Sequence, residues 1–154
     1  MFRATFLGHH GWLYAAERAR ILVDPLFHDR FGLTDSVELR VYPPRVTDPS
    51  ALPPIDAVIL THEHEGHFDP GSLALIDRSV PIHVPARSSV AMRGILTEMG
   101  FAVETLHPGV PVTIKDLEFL PMTADQLTQG VIEEWDSMAY LVRDTAGHGS
   151  LLRA

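Results

Sequence analysis

The sequence predicts an α+β fold, and three observations carry that prediction. Short apolar runs near the start are joined by tight turns, as in antiparallel hairpins. Later apolar runs alternate with segments of helical period, which places a sheet against helices. Between the two parts, Ala57-Val58-Ile59-Leu60 feeds the stretch Thr61-His62-Glu63-His64-Glu65-Gly66-His67-Phe68-Asp69, where three of the chain's nine histidines fall within six positions. Together these predict a sheet with helices packed on one outer face.

In order, Phe2 to Leu7 alternates as a first strand, broken by Gly8-His9-His10-Gly11. Trp12 to Ala16 reads as a second strand turning at Glu17 to Arg20, and Arg20 to Asp24 as a short buried strand stopped by Pro25. Leu26 to Pro54 has no persistent period and holds Pro43, Pro44, Pro49, Pro53 and Pro54 with Phe27, Phe31 and Tyr42. A loop of that length with aromatics suits a lid or pocket wall. Ile55 to Leu60 is a buried strand, and Pro70 to Asp77 a short helix capped by Asp69. Ile82 to Val84 is a brief strand closed by Pro85. Ser88 to Met99 is a helix with a face of Val90, Met92, Ile95, Leu96 and Met99, ended by Gly100. Phe101 to Leu106, Val110 to Ile114 and Leu117 to Leu120 are further strands, and Leu127 to Asp136 is irregular. Ser137 to Arg143 and Ser150 to Arg153 form a closing hairpin.

Composition excludes several classes. The length of 154 residues fits one domain with a real core. No apolar run reaches the length of a membrane span, and no basic segment followed by an apolar leader begins the chain, so a cytoplasmic protein starting at Met1 is expected. The absence of cysteine leaves His, Asp and Glu as the strong metal ligands. A formal charge of −8, with one lysine among twelve basic residues, argues against a nucleic-acid partner.

The histidine stretch carries the chemistry. A strand period of two puts His62 and His64 on one side if the extended backbone continues past Leu60. His67 follows at the turn into the helix that Asp69 and Pro70 begin. Three neutral imidazoles around an open position are what a catalytic zinc or iron site needs. Other histidines read as structural: His83 within a strand, His107 in a turn, and His148 at an exposed hairpin tip.

Phe6-Leu7-Gly8-His9, Ile21-Leu22-Val23-Asp24-Pro25 and the run from Ile55 to Asp69 resemble the metallo-β-lactamase superfamily. The resemblance is to its branch of ascorbate-phosphate lactonases and N-acyl-phosphatidylethanolamine phospholipases, whose motif is His-x-His-x-Asp-His. It implies an αββα sandwich and a metal-dependent hydrolase acting on a small-molecule substrate. His62 and His64 would bind a first metal, His67 a second, and Asp24 would lie buried beside them. The family's aspartate before the last motif histidine is Gly66 here, with Glu65 one position early. Where the family expects a later histidine, Asp125 is the candidate ligand. The family's bridging aspartate follows the strand matching Ser150 to Arg153. A single domain over residues 1–154, truncated at the C-terminus, is therefore expected, with the first half of the sandwich and part of the second sheet. A missing C-terminal half or self-association would cover what is left open.

Three functional readings follow. In the first, one or two zinc ions held by His62, His64, His67 and Asp125 make hydroxide available at neutral pH for attack on an ester, lactone, amide or phosphodiester. Glu65 would shuttle the proton, Asp24 would orient a ligand histidine, and His9 and His10 would border the pocket. In the second, iron or manganese replaces zinc, and a di-iron centre does redox chemistry. The third is a non-catalytic binding module or inactive remnant with an incomplete metal site.

Overall fold

The structure, a computed structural model, describes residues 1–34, 37–44, 47–124 and 137–153. β1 (Arg3–Gly8), β2 (Gly11–Ala15) and β3 (Arg20–Val23) form the expected antiparallel meander. The chain then departs from the expectation of a structureless loop. β4 (Arg30–Thr34) and β5 (Val37–Arg40) pair as a separate two-stranded ribbon, and Pro49–Ala51 forms one turn of 3-10 helix. The ribbon's register shifts between Phe31 and Thr34, so no alternation survives long enough to be read from sequence. Phe27 is buried and fixed to the next helical turn, its N–H donating to Ser72 Oγ at 2.8 Å.

β6 (Ala57–Ile59), β7 (Ile82–Pro85) and β8 (Val103–Leu106) add to β3 in parallel, giving a six-stranded sheet of order β1-β2-β3-β6-β7-β8. The central parallel strands are buried on both faces, which explains their unbroken apolar runs. On one face, Leu22, Val58, Ile82 and Val84 meet α1 (Pro70–Leu73) and α2 (Val90–Glu98) through Leu73, Met92 and Leu96.

Both helices begin as the sequence predicts. Asp69 accepts from Ser72 N at 2.9 Å with Pro70 following it, and Ser89 Oγ accepts from Met92 N at 3.0 Å. α1 ends earlier than the expected Asp77. Leu75 and Ile76 bond back only three residues, and the Arg78 guanidinium caps the carbonyls of Leu73, Ala74 and Ile76. α2 buries Met92 and Leu96, while Val90 and Ile95, placed on the same face by period, are exposed at 89% and 40%. Gly100, at φ +90°, ends it.

β9 (Val112–Ile114), β10 (Leu117–Ala124), β11 (Ser137–Asp144) and β12 (Ser150–Arg153) form the second sheet, antiparallel in the order β12-β11-β10-β9. Phe119, Met138, Tyr140 and Val142 from this sheet fill the space against Tyr14, Ile21, Val23 and Ile59 of the first. Inside that layer the Tyr14 and Tyr140 hydroxyls pair at 3.0 Å, as two buried phenols must. The end of the sandwich away from the histidine stretch is pinned by carboxylates. Asp116 accepts from the N–H groups of Arg18 and Ala19 at 2.9 and 2.8 Å, and Asp56 meets Lys115 Nζ at 2.6 Å.

Phe119 is fully buried between the sheets. Phe119→Ala is expected to cost about 3–5 kcal/mol, the usual range for emptying a core aromatic site. Urea denaturation followed by tryptophan fluorescence measures it, and a loss below about 1 kcal/mol would contradict this account of the inter-sheet core.

Candidate functional site

Asp24 stands where β3 ends, held in register by its N–H donating to Ile59 O at 3.0 Å. Its φ of +44° bends the chain out of the sheet, and its carboxylate is almost fully buried. A buried carboxylate needs several donors. Thr61 N–H donates to Oδ1 at 2.8 Å, Thr61 Oγ1 donates to Oδ2 at 2.6 Å, and His67 Nδ1 lies 2.8 Å from Oδ2.

This network assigns ring protons. The Thr61 hydroxyl spends its proton on Asp24, so His62 Nδ1, 3.1 Å from Thr61 Oγ1, is the donor of that pair. His67 Nδ1 likewise donates to Asp24. With its proton on Nδ1, a neutral ring at either position would leave the Nε2 lone pair for another partner, which is how metal-binding histidines are oriented.

The motif departs from an extended strand. β6 stops at Ile59, and residues 63–68 turn tightly, with His67 N–H and Phe68 N–H both donating to His64 O at 3.0 and 3.1 Å. Gly66, at φ +92°, permits that turn. The turn, and not strand alternation, gathers the rings. His62 lies 3.9 Å from His67 and 4.8 Å from His64, measured between ring centroids. His62 is buried and His64 exposed. The Glu63 carboxylate accepts the Ser89 N–H and ties the turn to the start of α2.

Two further imidazoles join from the β1–β2 hairpin. His10 stacks on His67 at 4.0 Å, and His9 lies 4.3 Å from His10 and 4.7 Å from the Phe31 ring. The second sheet reaches the same place, with Met138 N–H donating to Thr61 O at 3.2 Å and Arg153 donating to His10 Nδ1 at 3.0 Å. Burial first, and then the neighbouring His67, pushes His62 and His10 down to about 4. His9 is lowered for the same two reasons.

Of the residues singled out in the sequence, the fold brings His62, His64, His67 and Asp24 together. Glu65 sits exposed on the same turn. Asp125 lies outside the described residues. His9 and His10, expected to border the pocket, stand beside the motif turn, His10 stacked on His67; the close approach of His9 to Gly66 needed tertiary information. His83 is a buried strand residue as expected, with no partner for Nδ1 among the described residues. His107 is exposed, and His148 bonds Asp144 at 2.9 Å on its hairpin.

Among the described residues, no group of three His, Asp or Glu side chains stands in an arrangement that could hold a metal ion, since the rings pack against one another. The chemistry of the donor set still fits a divalent metal. Imidazoles whose Nδ1 protons are committed to Asp24 and Thr61 present Nε2 as the donor atom such ions take.

Two predictions follow from these bonds. Asp24→Ala would strand the Thr61 N–H, the Thr61 hydroxyl and the His67 N–H, so it is expected to cost about 3 kcal/mol or more, read by urea denaturation. The second concerns pH in metal-free protein. His10 and His62 titrate at about 4 in the fold against 6.5 when free, so below 6.5 the unfolded chain takes protons that the fold refuses. Stability should therefore fall as pH drops from about 6.5 to about 4, with no contribution from these groups above that window. A flat denaturation midpoint across it would contradict the burial of these rings.

The family model described as a beta-lactamase superfamily domain matches residues 19–148. N-acyl-phosphatidylethanolamine-hydrolyzing phospholipase D 1 of Caenorhabditis elegans is 30% identical over 78 residues, 51% of this chain and 22% of that protein. Two solved structures share the fold. CmlA of Streptomyces venezuelae, described as a diiron beta-hydroxylase, matches with a TM-score of 0.74 at 20% identity, over 99% of this chain and 29% of that one. Igni18 of Ignicoccus hospitalis, described as a metallo hydrolase, matches with a TM-score of 0.66 at 17% identity, over 99% of this chain and 60% of that one. The chain spans less than a third of the length of the curated relatives it matches. These likenesses give the sandwich the metallo-β-lactamase fold, and with the family model covering residues 19–148 the chain belongs to the metallo-β-lactamase superfamily.

Proposed function

We propose that this chain is the metal-binding part of a hydrolase, with His62, His64 and His67 as ligands and Asp24 as the residue that orients His67. The observation that carries the reading is the Asp24–Thr61–His network. It fixes two Nδ1 protons and leaves two Nε2 lone pairs on rings whose centroids lie 3.9 Å apart. A divalent metal, zinc by preference, supplies there a Lewis acid that activates water towards an ester, lactone, amide or phosphodiester centre. The relatives named as phospholipase and metallo hydrolase support that class of reaction.

The chain's own residues divide the remaining work. Asp24 holds the His67 ring in one tautomer and offsets positive charge in the cluster. Thr61 relays the same restraint to His62. Glu65, exposed on the motif turn, is the candidate to carry a proton between solvent and the reacting centre. Asp125 is a further candidate ligand. The Phe31 ring, packed on His9, walls the site on the side of the β4–β5 ribbon. A small-molecule substrate suits this arrangement.

A second reading is favoured by the likeness to CmlA, described as a diiron enzyme. In it the same histidines hold iron, and the reaction is an oxidation.

The test is metal binding. Metal-stripped protein should gain thermal stability with zinc or manganese and lose it with chelator, and His62→Ala or His67→Ala should abolish the gain. Loaded protein should hydrolyse a model lactone or an aryl phosphodiester, and the same variants should lower that rate by at least about a hundredfold. A His67→Ala protein that binds zinc as tightly as wild type would refute the ligand assignment. Stoichiometric iron with a charge-transfer band, in protein purified without added metal, would replace the hydrolase by the oxidative reading.

A further inference from the structure

Gly66 is buried, and its φ of +92° is one that side-chain-bearing residues rarely adopt. Space at this position is taken by another residue. A Cβ built on Gly66 would run into His9 Nε2, and would lie 2.9 Å from His9 Cδ2 and 3.1 Å from a Phe31 ring carbon. The imidazole of His9 therefore fills the volume in which a side chain at 66 would begin, with Nε2 as its leading atom.

The hairpin is bent to put it there. His9 occupies the first position of a two-residue loop at φ +50°, after Gly8 at φ +122°. A non-glycine residue in that region carries strain and persists only where its surroundings hold it. Here Phe31 holds one side of the ring and His10 another, at 4.7 and 4.3 Å. The His67 ring lies 6.4 Å away.

His10 is placed differently. Its Nδ1 accepts from Arg153 at 3.0 Å, so the neutral ring carries its proton on Nε2 and has no lone pair left to offer.

We propose that His9 is a ligand of the metal centre, entering from the β1–β2 hairpin at the point where the motif turn has no side chain, and that His10 is not a ligand. The proposal rests on the metal-dependent reading above. In it, Gly66 and His9 are one device: glycine clears the space, and the hairpin delivers an imidazole into it. An imidazole selects the same transition metals as the motif histidines, where a carboxylate would also have accepted magnesium or calcium.

Zinc titrations of the metal-stripped full chain by calorimetry, with bound metal counted by mass spectrometry, decide the matter. His9→Asn, which the positive φ tolerates, and His9→Gln should remove one bound ion or weaken binding by more than about a hundredfold, beyond the roughly ten- to hundredfold that loss of an indirect partner of a ligand brings. Gly66→Ala should do the same by pushing the His9 ring aside. His10→Gln should bind zinc as wild type does. Circular dichroism identifies the folded variants, and a folded His9 variant is decisive. A folded His9 or Gly66 variant that binds as many ions as tightly as wild type overturns the proposal, as does a His10→Gln loss equal to that of His9→Asn. If wild type itself binds no zinc, manganese or iron, the metal-dependent reading falls together with the proposal. Normal wild-type binding with no effect of His9 removes the proposal alone.

Discussion

One buried carboxylate organises the end of the sandwich where the histidines gather. Asp24 sits out of reach of water, and a carboxylate so placed is tolerable only when its lone pairs are met. Thr61 meets them twice and His67 once. Those bonds draw the backbone after β6 across the end of β3, although the two strands are separated in sequence by more than thirty residues. They also decide which nitrogen of each ring is left over. A single acid thus sets the path of the chain and the chemistry of the rings. Its place directly after a parallel strand follows the general pattern of sheets whose sites form beyond the carboxyl ends of their strands.

The two ends of the molecule are built for different tasks. At one end, Asp116 and Asp56 accept from backbone N–H groups and Lys115, fastening the turns of the two sheets together. At the other, loops converge from both sheets: the motif turn, the β1–β2 hairpin and the ends of β11 and β12 through Met138 and Arg153. The Tyr14–Tyr140 pair bridges the layers between. Rigid packing below and side-chain convergence above is how a scaffold positions a constellation without relying on any one loop.

Much of this was legible in the sequence, for identifiable reasons. Buried parallel strands announce themselves as unbroken apolar runs, and the caps at Asp69 and Ser89 act through residues within three positions, so both were readable. Asp24 and the three motif histidines were found by type and spacing together with the family resemblance. What failed depends on contacts between distant segments. The period argument put His62 and His64 on an extended strand, whereas a turn closed on the His64 carbonyl gathers them. It also placed Val90 and Ile95 on the apolar face of α2, where both are exposed, because periodicity gives a face but not which residues of that face meet the sheet. The β4–β5 ribbon was hidden by its register shift. That the His9 ring occupies the space beside Gly66 was not legible either, since no one-dimensional argument brings a hairpin 57 positions earlier against the motif turn.

Backbone strain points to the same place as the side chains. Three non-glycine residues among those described have positive φ, and two of them, His9 and Asp24, belong to the histidine cluster; Gly8 and Gly66 add two glycines there. Each such non-glycine residue costs on the order of 1 kcal/mol or more and survives only where surrounding interactions over-determine it. For Asp24 those interactions are the three carboxylate bonds. For His9 they are ring contacts with Phe31 and His10 in a space that glycine leaves open. Histidines scattered on a surface need no strained backbone and no buried acid to support them. Five imidazoles gathered from two loops, around a carboxylate withdrawn from water and on a chain bent against its preferences, form a site that the fold imposes at a cost in its own stability.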